Sequence, residues 1–246
     1  MQEIKKLKIT LKTISPIRIG MSKSPLSSID LPIVKIGEKY GIPGSSLKGA
    51  LRNNLDEFFI SKYREKNNEY LKPCIAAPKA SKIEEKTLSG IYKIEGCRLE
   101  DKIDYICPSC YFLGAQGIRG FVTVPILFAD TESTIRMHGI SVDRVTKTVR
   151  QKALYSYEMI TQGVIFEGIM EILIKDDISG FEFGKPRKVE NLVIDKWLED
   201  LPEFQSSEIL LEIIKDSLKK INKLGGFISK GLGNVEISVD EIQGEQ

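Results

Sequence analysis

The sequence predicts an α+β domain whose regular elements run β-α-β-β-α-β, and three observations lead there. Lys6 to Lys12 alternate apolar and polar side chains at the strand period. Leu47, Leu51, Leu55 and Phe58 recur at the helical period. Near the end, an amphipathic stretch with Ile209, Leu210, Ile213, Ile214, Leu218 and Ile221 on one face runs into a glycine-rich turn. A second alternating strand, Val235 to Asp240, follows it.

Size and composition set the frame. The 246 residues suffice for one large domain with insertions or for two small ones, and a 41% hydrophobic share can fill a globular core. A net charge of +2 does not by itself argue for a nucleic-acid partner, so such a role must rest on local basic patches. The first residues carry no signal-type apolar segment, and no apolar run approaches membrane-spanning length. The expectation is a soluble cytoplasmic protein without a membrane partner.

The first strand runs into Ile14-Ser15-Pro16-Ile17-Arg18-Ile19-Gly20 and a polar loop that contains Asp30 ahead of Leu31-Pro32. By residue type alone Asp30 is a turn former. Ile42-Pro43-Gly44-Ser45-Ser46-Leu47-Lys48-Gly49 then signals a helix start, with Ser45 or Ser46 as the expected N-cap. Ser45, Lys48 and Arg52 form a polar stripe beside the apolar one, so the helix N-terminus would suit a phosphate. An ordinary capped surface helix fits the segment equally well. The spacing does not match a Walker phosphate loop, and Gly49 replaces its Ser/Thr.

All four cysteines fall in a loosely patterned stretch, residues 67–113. Cys107-Pro108-Ser109-Cys110 has knuckle spacing, and Cys74 with Cys97 could complete a structural zinc site. A redox C-x-x-C pair and disulfides are the alternatives, and His138, the only histidine, is a possible substitute ligand. Arg119 to Phe128 reads as a largely buried strand; its Arg-Gly-Phe start is a weak match to an RNA-recognition signature. Thr131 to Glu158 lacks core periodicity and carries Arg136, Arg144, Lys147, Arg150 and Lys152 against Asp143 and Glu158, either as a solvated excursion or as a nucleic-acid contact. Val164 to Ile174 returns to strand, and Phe181 to Pro202, with the single Trp197, reads as connecting structure.

The turn Gly225-Gly226-Phe227-Ile228-Ser229-Lys230-Gly231-Leu232-Gly233 places a cation among residues that let backbone amides converge on an anion. For Gly225 alone a helix C-cap suffices. With the insertions set aside, the element order is the split-βαβ, ferredoxin-like arrangement that RNA-recognition domains also use.

Three motifs in order, Ile42 to Gly49, the strand ending at Ala129-Asp130, and Gly225-Gly226 through Lys230-Gly231-x-Gly233, resemble the RAMP proteins of CRISPR systems. The resemblance is strongest to the backbone subunits of type III (Csm and Cmr) effector complexes. It implies one ferredoxin-like palm spanning residues 1–246, a cysteine-rich lid at 67–113, sometimes zinc-bound, and a thumb at 131–163. It further implies copies self-associating along a CRISPR RNA, with complementary target RNA and other effector subunits as partners. Arg18, Ser45, Ser46, Lys48, Arg52, Arg136, Arg144, Lys147, Gly226, Ser229, Lys230 and Gly231 become the expected RNA-binding set. Asp30 stands where Csm-type subunits hold an aspartate needed to cut target RNA, acting as a base toward the 2′-hydroxyl or holding a divalent cation such as magnesium. Subunits of other subtypes lack nuclease activity, so a purely structural RNA-binding role is the alternative. A repeat-processing endonuclease of the superfamily typically uses a histidine in the N-terminal half, which is absent here.

Overall fold

The computed structural model describes residues 1–23, 28–75, 88–99, 105–130, 133–143 and 145–242. The first strand, β1 (Gln2–Thr13), extends further than the alternation suggested. Leu7, Ile9 and Leu11 are fully buried, while Lys6, Lys8 and Lys12 point away from the core. A short hairpin that the sequence reading did not anticipate, β2 (Lys35–Ile36) and β3 (Lys39–Ile42), leads into helix α1 (Gly44–Lys66). The expected serine cap is absent. Pro43 is the N-cap, no side chain caps the helix, and Ser45 and Ser46 lie inside its first turn. Proline at this point has the extended φ that ends a strand and no amide to satisfy.

Leu47, Leu51, Leu55 and Phe59 of α1 are completely buried. Each side chain of this size adds roughly 1.5–3 kcal/mol on burial. The cysteine-rich stretch does not stay outside this core: α2 (Pro108–Leu113) buries every one of its residues. Tyr111 and Phe112 pack with Phe59 and Trp197, the ring centroids of Phe59 and Trp197 lying 5.4 Å apart.

The expected strand from Arg119 to Phe128 is broken into β4 (Val122–Thr123) and β5 (Leu127–Ala129). Pro125 lies in the break, where a missing N–H cannot continue a ladder. Next come β6 (Thr134–Val142) and β7 (Val149–Ile160), a two-stranded hairpin at the position expected for the thumb. The long strand β8 (Ile165–Asp176) returns to the core.

Residues 181–204 are more than a connector. They form β9 (Phe181–Glu182), β10 (Lys188–Val189), β11 (Leu192–Val193) and α3 (Lys196–Asp200), with Trp197 fully buried. Arg187 and Asp195 form a buried pair, Nε to Oδ2 2.7 Å and Nη2 to Oδ1 2.9 Å, and the guanidinium lies over Tyr111 and Phe121. Helix α4 (Ser207–Lys219) is capped by the Ser206 hydroxyl, which accepts from the Ile209 amide. Ile209 itself is exposed, one position off the buried face assigned to it. The chain closes with β12 (Val235–Glu241).

These elements make a mixed α/β structure around a mostly antiparallel sheet. The sheet order is β12-β1-β8-β5-β3-β2, with β4 and β9 also pairing with β8. Ile9 faces Val239 on one side and Gly168 on the other. Helices α1 and α4 pack together, joined by an Asn54 amide hydrogen bond to the Ser217 carbonyl at 2.8 Å. On the outward side of β1 and β8, Lys8 pairs with Glu167 at 2.7 Å and Ile169 is exposed. That face is mixed in charge, not basic.

Candidate nucleic-acid interface and cysteine centre

Three separate parts of the chain meet at one cleft. The segment after β1, the first turn of α1 and the glycine turn before β12 border an open, shallow space of ≈ 590 Å³. Arg18, Gly20, Ser22, Ser46, Gly225 and Gly226 are among its lining residues. Backbone bonds hold the turn to the first segment. The Gly226 amide donates to the Arg18 carbonyl at 2.8 Å, and the Gly233 amide to the Pro16 carbonyl at 2.9 Å. Gly225 has φ +90°, and a Cβ there would stand 2.5 Å from the Arg18 carbonyl oxygen, so only glycine lets the two backbones approach this closely.

Four amides of the glycine turn are engaged within the fold. Gly226 and Gly233 donate inward as described, the Lys230 amide donates to Phe227 and the Gly231 amide to Ile228. The Ser46 amide likewise donates to Pro43. Side chains add to what the site offers an anion. The Arg18 guanidinium lies 5.3 Å from the centroid of Phe227, and its buried Nε has no hydrogen-bond partner among the described residues. Burial lowers the pKa of Arg18, because its charge has lost water without gaining a counter-ion. Lys230 lies 4.4 Å over Phe227 from an exposed position, and Ser229 and Gly231 are exposed beside it. Ser45 and Lys48 are exposed on α1.

Asp30 sits next to this cleft, on a segment laced to it. The Val34 amide donates to the Ile19 carbonyl at 2.9 Å, and the Met21 amide to the Pro32 carbonyl at 3.2 Å. The Asp30 carboxylate is tied to the hairpin: the Ser156 amide donates to Oδ2 at 2.8 Å and the Ser156 hydroxyl to the same oxygen at 3.1 Å. Lys23 Nζ donates to Oδ1 at 2.7 Å. Lys23 foremost, and then Ser156, hold the carboxyl well below the usual carboxylate range.

Of the hairpin cations, Arg136 donates to the Ser28 carbonyl at 2.7 Å and so braces the Asp30 segment. Lys147 is exposed at the hairpin tip in a left-handed conformation, φ 59°. Arg144 lies outside the described residues. Tyr157 meets Phe227 edge-on at 5.3 Å and so links hairpin to glycine turn, a contact between aromatic residues that the sequence reading passed over.

The four cysteines converge at a separate place. All are buried and their sulfurs lie within 4.8 Å of one another. The sulfurs of Cys74 and Cys110 are 3.4 Å apart, well beyond a disulfide bond. Around one tetrahedral ion, Zn–S bonds of about 2.3 Å imply S···S distances of about 3.8 Å. The donor set, the burial and the spacing fit a structural metal ion such as zinc. His138 is not a member of the group; it lies in the hairpin opposite Ser156. Arg52 turns toward this cluster, so it does not share the cleft with Ser46. Burial opposes its charge, yet Cys110, Cys74 and Asp56 together raise its pKa. Asp56 is pushed up to about 6 by desolvation, against the hydrogen bond from Ser109 and the charge of Arg52.

The RAMP superfamily model matches residues 10–236. The chain belongs to the RAMP superfamily. This RAMP protein thus has a CRISPR-associated, RNA-binding role, and its relatives work within CRISPR effector complexes around CRISPR RNA. No curated protein matches it. No helix of the described residues is long and apolar enough to cross a membrane.

Proposed function

We propose that this RAMP protein is a backbone subunit of a type III CRISPR effector, copies of which line up along the guide RNA. In this reading the sheet with α1 and α4 is a split-βαβ palm, since β12-β1-β8 with β4 and β5 reproduces that strand order. Residues 134–160 act as the thumb, and the segment bearing Cys74, Cys97 and Cys107 acts as the lid.

One observation carries the RNA-gripping part: Arg18, with its unpartnered Nε, lines a cleft walled by the α1 start and the glycine turn. A phosphate there would supply the counter-charge that Arg18 lacks, without reading sequence. Lys230 and Lys48 add exposed charge around it. The test is the salt dependence of single-stranded RNA binding by the full chain. Arg18→Ala, Lys230→Ala and Lys48→Ala should each weaken binding and reduce the salt slope by about one. Unchanged slopes in all three variants would remove the cleft from the RNA path.

Two readings of Asp30 follow from its surroundings. For target cleavage, its permanent ionisation suits an electrostatic role near a strained phosphate. To act as a base toward the 2′-hydroxyl it would first have to leave Lys23, which holds its pKa low. A divalent cation here would be held by the Asp30 carboxylate together with RNA phosphate oxygens and water. The second reading is a structural tie between loop and hairpin, favoured by its three side-chain hydrogen bonds. An assembled complex with Asp30→Asn decides between them. Loss of cutting with RNA affinity retained supports catalysis, and undiminished cutting leaves only the tie.

A further inference from the structure

Every sulfur of the cysteine centre accepts a hydrogen bond from nitrogen. Cys97 accepts from the Cys107 amide at 3.3 Å, and Cys107 from the Cys74 amide at 3.4 Å. Cys74 accepts from Arg52 Nη2 at 3.2 Å, and Cys110 from Nη1 and Nη2, both at 3.6 Å. Two sulfurs are thus served by backbone amides and two by one guanidinium. That guanidinium also donates to the Cys74 carbonyl at 3.1 Å, which fixes its plane.

Arg52 is itself held in place. Its Nε lies 3.8 Å from Asp56 Oδ2, one helical turn further along α1. The other Asp56 oxygen accepts from the Ser109 hydroxyl. Ser109 is fully buried and lies between the ligands Cys107 and Cys110. A closed circuit therefore runs from the Cys-Pro-Ser-Cys turn through Ser109, Asp56 and Arg52 back to Cys74 and Cys110.

Four thiolates around one divalent ion leave net negative charge in a region with little water, and that charge needs an outside partner. We propose that Arg52 is this partner: a positioning residue that offsets the charge of a tetrathiolate metal centre, orients two of its sulfurs and slows loss of the ion. The role rests on the metal reading of the cluster and not on the RNA reading of the cleft. It removes Arg52 from the set of phosphate-gripping residues. It also explains why the interior positions of the Cys-x-x-Cys turn include a serine, since only a hydroxyl there can orient Asp56 toward Arg52. Backbone partners serve Cys97 and Cys107 whatever the side chains nearby, so substituting Arg52 strips hydrogen bonds from Cys74 and Cys110 alone.

The test uses the full chain loaded with zinc, as wild type, Arg52→Met and Arg52→Lys, with transfer of zinc to a chromophoric chelator followed in time. Partners outside the ligand shell typically change metal affinity by about 10–100-fold. Arg52→Met should release zinc at least about tenfold faster than wild type. Arg52→Lys, which keeps the charge but not the planar fork, should fall between them. The cobalt-substituted Arg52→Met protein should show shifted thiolate-to-metal absorption, and both variants should keep the wild-type salt slope for RNA. Wild-type release rates and an unshifted cobalt spectrum would overturn the proposal, as would wild-type protein purified without metal and with freely alkylated cysteines. If Arg52→Met does not fold, the release rate of Arg52→Lys decides, and a rate equal to wild type counts against the role.

Discussion

Asp30 and Ser156, 126 positions apart, bind each other reciprocally. The Ser156 amide and hydroxyl donate to the Asp30 carboxylate, and the Asp30 amide lies 3.1 Å from the Ser156 hydroxyl oxygen. The next residue continues the contact, with the Leu31 amide donating to the Ser156 carbonyl at 3.0 Å. The loop beside the cleft is therefore bridged to the root of the hairpin at Leu31 and Tyr157. Anything that displaces the hairpin acts directly on the Asp30 carboxylate.

Removing the Ser156 hydroxyl tests this tie without touching Asp30. Ser156 is 5% exposed, and Ser156→Ala takes one donor from the half-exposed Asp30 carboxylate, which should lower the midpoint of denaturant unfolding. If the complex cuts target RNA through Asp30, cutting should fall while RNA affinity holds. A fully stable variant with unaltered protection of the Leu31 amide would show that the contact is incidental.

The tie has a pH signature. Lys23 and Ser156 depress the Asp30 pKa in the folded protein, so its stabilising contribution is complete above the unfolded value near 4. It is lost only as pH falls toward the lower folded value. At pH 4 the Asp30 carboxyl should still be ionised by NMR titration, and the Ser156 amide still protected from exchange. A titration midpoint close to 4 would mean that neither partner engages it in solution.

Two glycines of the same turn should respond differently to alanine. Gly225 and Gly231 both have positive φ, +90° and +83°. At Gly225 the new Cβ also meets the Arg18 carbonyl, whereas at Gly231 nothing lies within 4 Å. Gly231→Ala should cost about 1–2 kcal/mol from backbone conformation alone. Gly225→Ala should cost more and, by moving Arg18, also weaken RNA binding. Equal losses of stability and affinity would indicate that the Arg18 approach is not rigid.

The Arg187–Asp195 pair anchors the segment between β8 and α4. Asp195 is fully buried, and Asp195→Ala leaves an uncompensated guanidinium among Tyr111, Phe121 and Phe181. The expected loss is about 3–5 kcal/mol, read as a fall in the denaturation midpoint. A double variant, Arg187→Met with Asp195→Leu, should recover most of it, since apolar replacement of a buried pair is often neutral. No recovery would assign the pair a role beyond charge balance.

Local pattern alone carried β1, the interiors of α1 and α4, β8 and β12, because each has a period that a single buried face imposes on neighbouring residues. The cysteine spacing and the glycine turn were equally plain. Which groups meet could not be read this way. Ser46 and Arg52 share a helix, yet one lines the cleft and the other faces sulfur, a division set by what packs on each side of α1. The glycine turn carried the composition of an anion cradle, but the segment after β1 takes the Gly226 and Gly233 amides and the turn's own carbonyls take those of Lys230 and Gly231. Arg187 and Trp197 lacked any periodic signal because Tyr111, Phe121 and Phe59, which they pack against, come from distant segments. Hydrogen bonds and ion pairs between such segments depend on three-dimensional proximity, and that is settled only when the sheet and its helices close around a common core.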